Sequence, residues 1–198
     1  MKTSETIGQR ADLTARLMAV ASAARKNAAL SSFADLLAQK AADEESLRQV
    51  TAMLMDELSR LADEKDPIGT VVYSESSENG RVIEGVRAPI GAVGVVADGD
   101  VCCLVRTVAL LIKTGNAGVF FCDLKTAENT RTVIAMWRQS LHLAGLPADA
   151  VQVADACEAE AFFSLPAFKK ILIKSGSPPY GGRPCTKPRA VNRDRYTA

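Results

Sequence analysis

The 198-residue sequence predicts an α/β protein: N-terminal helices, a β-hairpin, a parallel sheet with flanking helices, and a disordered C-terminal tail. Three observations carry this expectation. Residues 5–65 place apolar side chains at helical spacing, with no glycine between Gly8 and Gly69 and no proline before Pro67. From residue 90 onward, short apolar runs alternate with helix-length segments, the pattern of βαβ units with right-handed crossovers. After Ser175 the periodicity stops, and residues 174–198 hold four prolines and three glycines among basic side chains.

The elements follow in order. Leu13, Leu17, Val20 and Ala24, then Leu30, Phe33 and Leu37, mark the apolar row of a first helix. Leu47, Val50, Leu54, Leu58 and Leu61 mark a second, and the polar stretch Ala42-Asp43-Glu44-Glu45-Ser46 separates the two. Asp66-Pro67-Ile68-Gly69 stops that second helix, because proline disfavours helical backbone at the residue before it. Thr70–Tyr73 and Arg81–Val86 are β-type runs around Ser77-Glu78-Asn79-Gly80, a strong hairpin signal. A two-stranded ribbon is marginal alone, so it is expected to pack on the domain or on another subunit.

Ala92–Ala97 and Gly118–Cys122 are continuously apolar, as buried parallel strands are. Between them, Val101–Lys113 is a helix ended by Thr114-Gly115-Asn116-Ala117. Ala127–Ala144 is an amphipathic helix ended by Gly145-Leu146-Pro147, with Trp137 on its apolar row beside Val133 and Leu141. Val151–Val153 and Lys170–Ile173 are further strands, and residues 156–165 a short helix.

Composition narrows the function classes. The formal charge is +1, but residues 169–198 carry +7 and residues 1–168 carry −6. Basic residues alone attract nucleic acid only non-specifically, so no nucleic-acid partner is expected. No apolar run is long enough for a membrane span and Met1–Arg10 is polar, so no membrane association and a cytoplasmic location are expected. Cys102, Cys103, Cys122, Cys157 and Cys185 are scattered without a CxxC pair, and His142 is the only histidine, so no metal site is expected. Cys102, Cys103 and Cys122 read as small buried hydrophobes, His142 as a helix-end residue, and Asp98 and Asp100 as solvated loop acids. Gly176–Arg183 echoes a phosphate loop but lacks the Lys-Ser/Thr, and two prolines remove backbone donors. Cys185 has cationic neighbours but no partner to orient it as a nucleophile.

Several runs, in this order, carry a family resemblance. They are Lys26-Asn27-Ala28-Ala29-Leu30, Asp66-Pro67-Ile68-Gly69, Arg87-Ala88-Pro89-Ile90-Gly91-Ala92-Val93-Gly94-Val95-Val96, Leu111-Ile112-Lys113-Thr114-Gly115-Asn116-Ala117 and Ala144-Gly145-Leu146-Pro147-Ala148-Asp149-Ala150-Val151-Gln152. Together, from about residue 10 to Ile173, the sequence resembles the gamma-glutamyl phosphate reductases (glutamate-5-semialdehyde dehydrogenases) of the aldehyde dehydrogenase superfamily.

The chain divides into a helical segment over 1–65, a hairpin over 66–90, a sheet domain over 91–174 and a basic Pro/Gly-rich tail over 175–198; the resemblance implies that the hairpin is of the oligomerisation type and the sheet domain Rossmann-like and of the NADP-binding type. It implies NADP as cofactor and an activity of proline biosynthesis, the NADPH-dependent reduction of gamma-glutamyl phosphate to glutamate-5-semialdehyde through a nucleophilic cysteine. It assigns the cofactor positions to Ala97, Asp98, Gly99 and Phe121.

The departures from the family fall on those positions. The family's Tyr-Glu-Ser-Arg-Pro-Asn stretch falls on Ala97–Cys102, so its arginine is Asp100, and its Arg-Gly-Gly falls on Phe121-Cys122-Asp123. The family's catalytic domain lies beyond the matched region. No catalytic residue is therefore expected in this chain, and no turnover by it alone. The alternative is a non-catalytic interaction subunit that associates through residues 70–87, as a homo-oligomer or with a full-length reductase.

Overall fold

The computed structural model describes residues 2–41, 45–96, 100–122, 127–155, 168–173 and 189–191. Three helices open the chain: α1 (Lys2–Ala19), α2 (Ala23–Ala41) and α3 (Glu45–Asp63). The first expected helix is thus two. Neither glycine nor proline makes the break. The Ala21 N–H donates to the Met18 carbonyl at 3.1 Å, and the Ser22 hydroxyl accepts from the Arg25 N–H at 3.4 Å, so a serine cap restarts the helix.

The phase of α1 also differs from the expected one. Leu13, Leu17 and Val20 are 61%, 51% and 83% exposed, and the buried row is Ala11, Thr14, Ala15 and Met18. The reason is close packing. The Thr14 hydroxyl reaches the Asp149 carbonyl at 3.3 Å, and a Cβ on Gly115 would lie 3.2 Å from the Met18 carbonyl oxygen. A helix that approaches other backbone this closely needs small residues on its inner face.

Next come the hairpin strands β1 (Val71–Ser76) and β2 (Val82–Val86). The loop is a turn with a Gly80 N–H to Ser77 carbonyl bond at 2.9 Å, after which Gly80 takes φ +80°. Within this loop positive φ is confined to Gly80, so Asn-Gly makes a type I turn followed by a left-handed glycine, not the two-residue primed turn. Every residue of both strands is exposed except half-buried Gly85, which sits beneath the Tyr73 ring. The described part of the domain does not cover the ribbon.

The sheet has the order β5-β4-β3-β6-β7, with β3 (Ala92–Val96), β4 (Ala117–Cys122), β5 (Val151–Asp155), β6 (Phe168–Ile173) and β7 (Arg189–Val191). The first four are mutually parallel, and β7 lies antiparallel to β6. Arg189–Val191 therefore forms a strand within the segment expected to be disordered; the rest of residues 174–198, and the helix expected over 156–165, lie outside the described residues.

The crossovers β3→β4 and β4→β5 carry α4 (Val101–Lys113) and α5 (Ala127–Leu143), which contact each other as right-handed crossovers in one direction require. Both helices end in the same device. Asn116 N–H reaches Leu111 O at 2.8 Å and Gly115 N–H reaches Ile112 O at 3.0 Å, and Leu146 and Gly145 repeat the pattern on Leu141 and His142. The core is continuous from α1–α3 into the sheet, and Phe33 of α2 stacks on Trp137 of α5 with ring centroids 3.7 Å apart.

A buried polar cluster fastens these layers. Lys113 is fully buried, and its Nζ donates to Asn27 Oδ1 at 2.9 Å, Ala62 O at 3.0 Å and Glu64 O at 2.6 Å. All three ammonium donors are used. Lys26, also buried, pairs with Asp66. Asn116 accepts from the Gly91 N–H at 2.9 Å and donates to Thr114 Oγ1 at 2.8 Å, which ties the α4–β4 turn to the entry of β3. Burial would raise the Asp66 carboxyl, but the bonds from Lys26 and the Ile68 N–H, with the charges of Lys26 and Lys113, hold it below its ordinary 3.8. Burial pushes the Lys113 ammonium down, against the pull of Asp66 and Glu64.

Two outcomes follow. Lys26→Met, which strands the Asp66 carboxylate, lowers unfolding free energy by about 3 kcal/mol in urea titrations read from the single tryptophan. Because the folded Asp66 pKa is depressed, its stabilisation is whole above about pH 4 and is lost as pH falls through the folded value. Asp66→Asn is accordingly less stable at neutral pH and shows a flatter acid limb than wild type.

Candidate functional site

A parallel sheet whose first strand is followed on one side by β4 and on the other by β6 has a topological switch point between β3 and β6. Ligands of such sheets bind outside the carboxyl ends of those strands. Here that place is set by Val96, in register with Ile173 on β6 and with Phe121 on β4. The helix leading away from it is α4.

Asp100 is the N-cap of α4, with extended backbone (φ −70°, ψ 108°). One oxygen of its carboxylate, Oδ1, accepts from the Cys102 N–H at 2.9 Å and the Cys103 N–H at 3.2 Å. The expectation of a solvated loop acid is corrected by this geometry: the apolar run that starts at Val101 becomes helix, and an acid immediately before it meets its free N–H groups. The sequence held that signal in the step from Asp100 into Val101-Cys102-Cys103-Leu104.

Arg106, the only cation in the first two turns of α4, is bound bidentately by Glu57 of α3, through Nε at 2.6 Å and Nη2 at 2.8 Å. The hydrogen bond from Arg106 lowers the Glu57 carboxyl against the opposing effect of burial, and the same bond raises the guanidinium. No sequence pattern could have paired residues 49 positions apart.

Of the expected cofactor positions, Ala97, Asp98 and Gly99 lie outside the described residues. Phe121 is at the carboxyl end of β4, and its side chain is fully buried in the core. Cys103 and Cys122 are buried, as expected, and Cys102 is half-buried against the same core. Burial raises the Cys102 thiol, and the Asp100 charge raises it further. Such a thiol is a poor nucleophile at neutral pH. Cys157 and Cys185 lie outside the described residues. His142 is exposed in the last turn of α5, and Trp137 is core, both as expected. Among the described residues, no group of three His, Cys, Asp or Glu is placed to hold a metal ion, and no helix is long and apolar enough to cross a membrane.

Polar residues of the runs that carry the family resemblance gather at the other end of α4. Lys26, Asn27, Asp66, Lys113 and Asn116 all belong to the buried cluster at the amino edge of the sheet. A reductase from Opitutus terrae, named gamma-glutamyl phosphate reductase, is 30% identical over 183 residues, which cover 80% of this chain. The chain is homologous to gamma-glutamyl phosphate reductase. It spans 43% of that relative's length. No family model matches the chain.

The fold agrees. The gamma-glutamyl phosphate reductase of Thermotoga maritima superposes with a TM-score of 0.77 at 19% identity, over 87% of this chain and 49% of that one. A glyceraldehyde-3-phosphate dehydrogenase of Methanocaldococcus jannaschii, solved with NADP, superposes with a TM-score of 0.67 at 15% identity, over 89% of this chain and 46% of that one. The chain thus has the fold of the matched half of each of these two proteins. At the head of α4, Asp100 accepts from the Cys102 and Cys103 N–H groups, and Glu57 holds Arg106.

The Cys102 geometry is directly testable. Alkylation by iodoacetamide at neutral pH, mapped by peptide mass spectrometry, runs several-fold slower at Cys102 than at free cysteine, and Asp100→Asn accelerates it by removing the repelling charge.

Proposed function

We propose that these 198 residues form the cofactor-domain scaffold of a protein related to gamma-glutamyl phosphate reductase, and that by themselves they turn over no substrate. The observation that supports this reading most is the placement of the polar residues in the runs that carry the family resemblance. They build the buried Lys26–Asp66 and Lys113–Asn27 cluster, whereas the described cysteines are buried or held protonated. Reduction of an acyl phosphate needs a thiolate presented to substrate and donors for the developing oxyanion. Among the described residues no cysteine is placed as such a thiolate. The reading includes a cytoplasmic location, where the substrates of proline synthesis are found with NADPH. The pure chain, given NADPH and gamma-glutamyl phosphate or, in reverse, NADP and glutamate-5-semialdehyde, leaves the NADPH absorbance unchanged; turnover above the rate of a heat-denatured control refutes the proposal.

The hairpin favours a second, compatible role as an assembly subunit. Val71, Val72, Tyr73, Val82, Ile83 and Val86 are all more than half exposed on a ribbon that no other described element covers. Exposed apolar strands with free edges recruit a further strand or a second ribbon. The partner is a second copy of this chain or a full-length gamma-glutamyl phosphate reductase. Light scattering on the wild type then gives a dimer or larger species, or a tagged chain retains the purified reductase. Val82→Glu/Ile83→Glu, which charges both ribbon faces, abolishes either association while Trp137 fluorescence stays native. A wild-type monomer that retains no reductase rejects this role.

A further inference from the structure

We propose that β7 is a guard strand: the chain's own basic segment covers the apolar outer edge of β6, which when bare pairs with β6 of a second copy. The register carries the argument. β6 has β3 on one side and β7 on the other, and among the described residues β7 ends the sheet. β7 pairs with Ile171, Leu172 and Ile173 through Val191, Ala190 and Arg189. Those three residues are the uninterrupted apolar run of β6. The other half of β6, Phe168-Lys169-Lys170, has no register partner in β7 and holds two lysines. Lysine on an edge opposes pairing with another chain, and an apolar edge without it is a site of association. The strand is therefore laid where the sequence has no other protection.

β7 itself has the marks of an edge that ends a sheet. It is three residues long, Pro188 precedes it, and its stretch of sequence carries Lys187, Arg189, Arg193 and Arg195 against one acid, Asp194. Short strands, proline and charge each block the addition of a further strand. Two such segments also repel one another. The direction of β7 names the occupant it keeps out. β3, β4, β5 and β6 are mutually parallel, yet the outer edge of β6 accepts β7 antiparallel. An antiparallel neighbour is what a second β6 becomes in a two-fold dimer, where the same edge meets itself. The basic end of the chain thereby has a structural task that needs no polyanionic partner and is independent of the exposed ribbon.

The test uses the full chain carrying Val82→Glu/Ile83→Glu, so that association through the ribbon is silent. Ala190→Pro takes a backbone donor from β7 and unseats it. Leu172→Cys/Ala190→Cys puts thiols at directly opposed positions, where a disulfide, mapped by peptide mass spectrometry, locks the strand in place. In sedimentation the parent and the oxidised cysteine pair are monomers, whereas Ala190→Pro forms a dimer whose share grows with concentration. In dilute solution, amide exchange over residues 171–173 runs about tenfold faster in Ala190→Pro than in the parent. Trp137 fluorescence verifies folding; where Ala190→Pro loses the native signal, Ala190→Gly/Val191→Gly, which weakens the strand and keeps its donors, takes its place with the same expected outcome. The proposal is overturned by unchanged exchange, by a bare edge that stays monomeric, by a parent that is already dimeric, or by cysteines that do not oxidise. A disulfide that joins two chains also overturns it, because β7 is then an exchanged strand and not a guard. Failure of the ribbon reading leaves the wild type monomeric and moves none of these results.

Discussion

The buried ammonium of Lys113 sets the geometry on which the rest of the chain depends. An amine removed from water is tolerated only where each of its donors finds an acceptor, and the three acceptors here come from α2 and from the end of α3. That requirement fixes the carboxyl end of α4 against two helices at once. Lys26 and Asp66 add a second charged tie between α2 and the segment that leads into the hairpin. Asn116 carries the constraint into the sheet, because its side chain holds the Gly91 N–H where β3 begins. An apolar cluster of the same volume would hold these layers as firmly, but it would allow them to slide. Directional bonds to named carbonyls do not.

The two ends of α4 are complementary. Lys113 stands in its last turn and Asp100 at its cap, so both ends of the helix dipole face a charge of the stabilising sign. The chain meets the positive end with its own Asp100 carboxylate, and Glu57 does the same for Arg106. The hairpin stands apart from both, since its apolar residues are exposed on a ribbon whose two legs are joined at the base by the Gly69–Arg87 and Arg87–Thr70 backbone bonds.

Several features were legible because they are local. Gly115 and Gly145 mark the ends of α4 and α5 through the φ values that only glycine adopts cheaply, +67° and +68°. Ala92–Val96 and Ala117–Cys122 read as buried strands because both of their faces are covered, which leaves no polar alternation. The hairpin was legible from Asn79-Gly80, although the turn it makes was not, since the strand twist and loop length select among turns that share this dipeptide. α1 misled for a physical reason. Its leucines have the right spacing for a core face, but its neighbours are backbone at Gly115 and Asp149, which admit alanine, threonine and methionine and leave leucine outside.

By itself the sequence determined the hairpin, the alternation of β3, β4 and β5 with α4 and α5, the parallel sheet, the burial of Trp137 and of Cys103 and Cys122, and the likeness to a known reductase. Each of these depends on composition, spacing or near neighbours in the chain. Only the tertiary structure decided what the polar residues of the resembling runs do. Lys26, Asp66 and Lys113 are far apart in sequence and polar, and nothing local distinguishes a solvated lysine from one that ties three helices together. The same holds at the other end, where the pairing of Glu57 with Arg106 exists because α3 packs along α4. Electrostatic partners are chosen by distance in space, and the fold sets that distance.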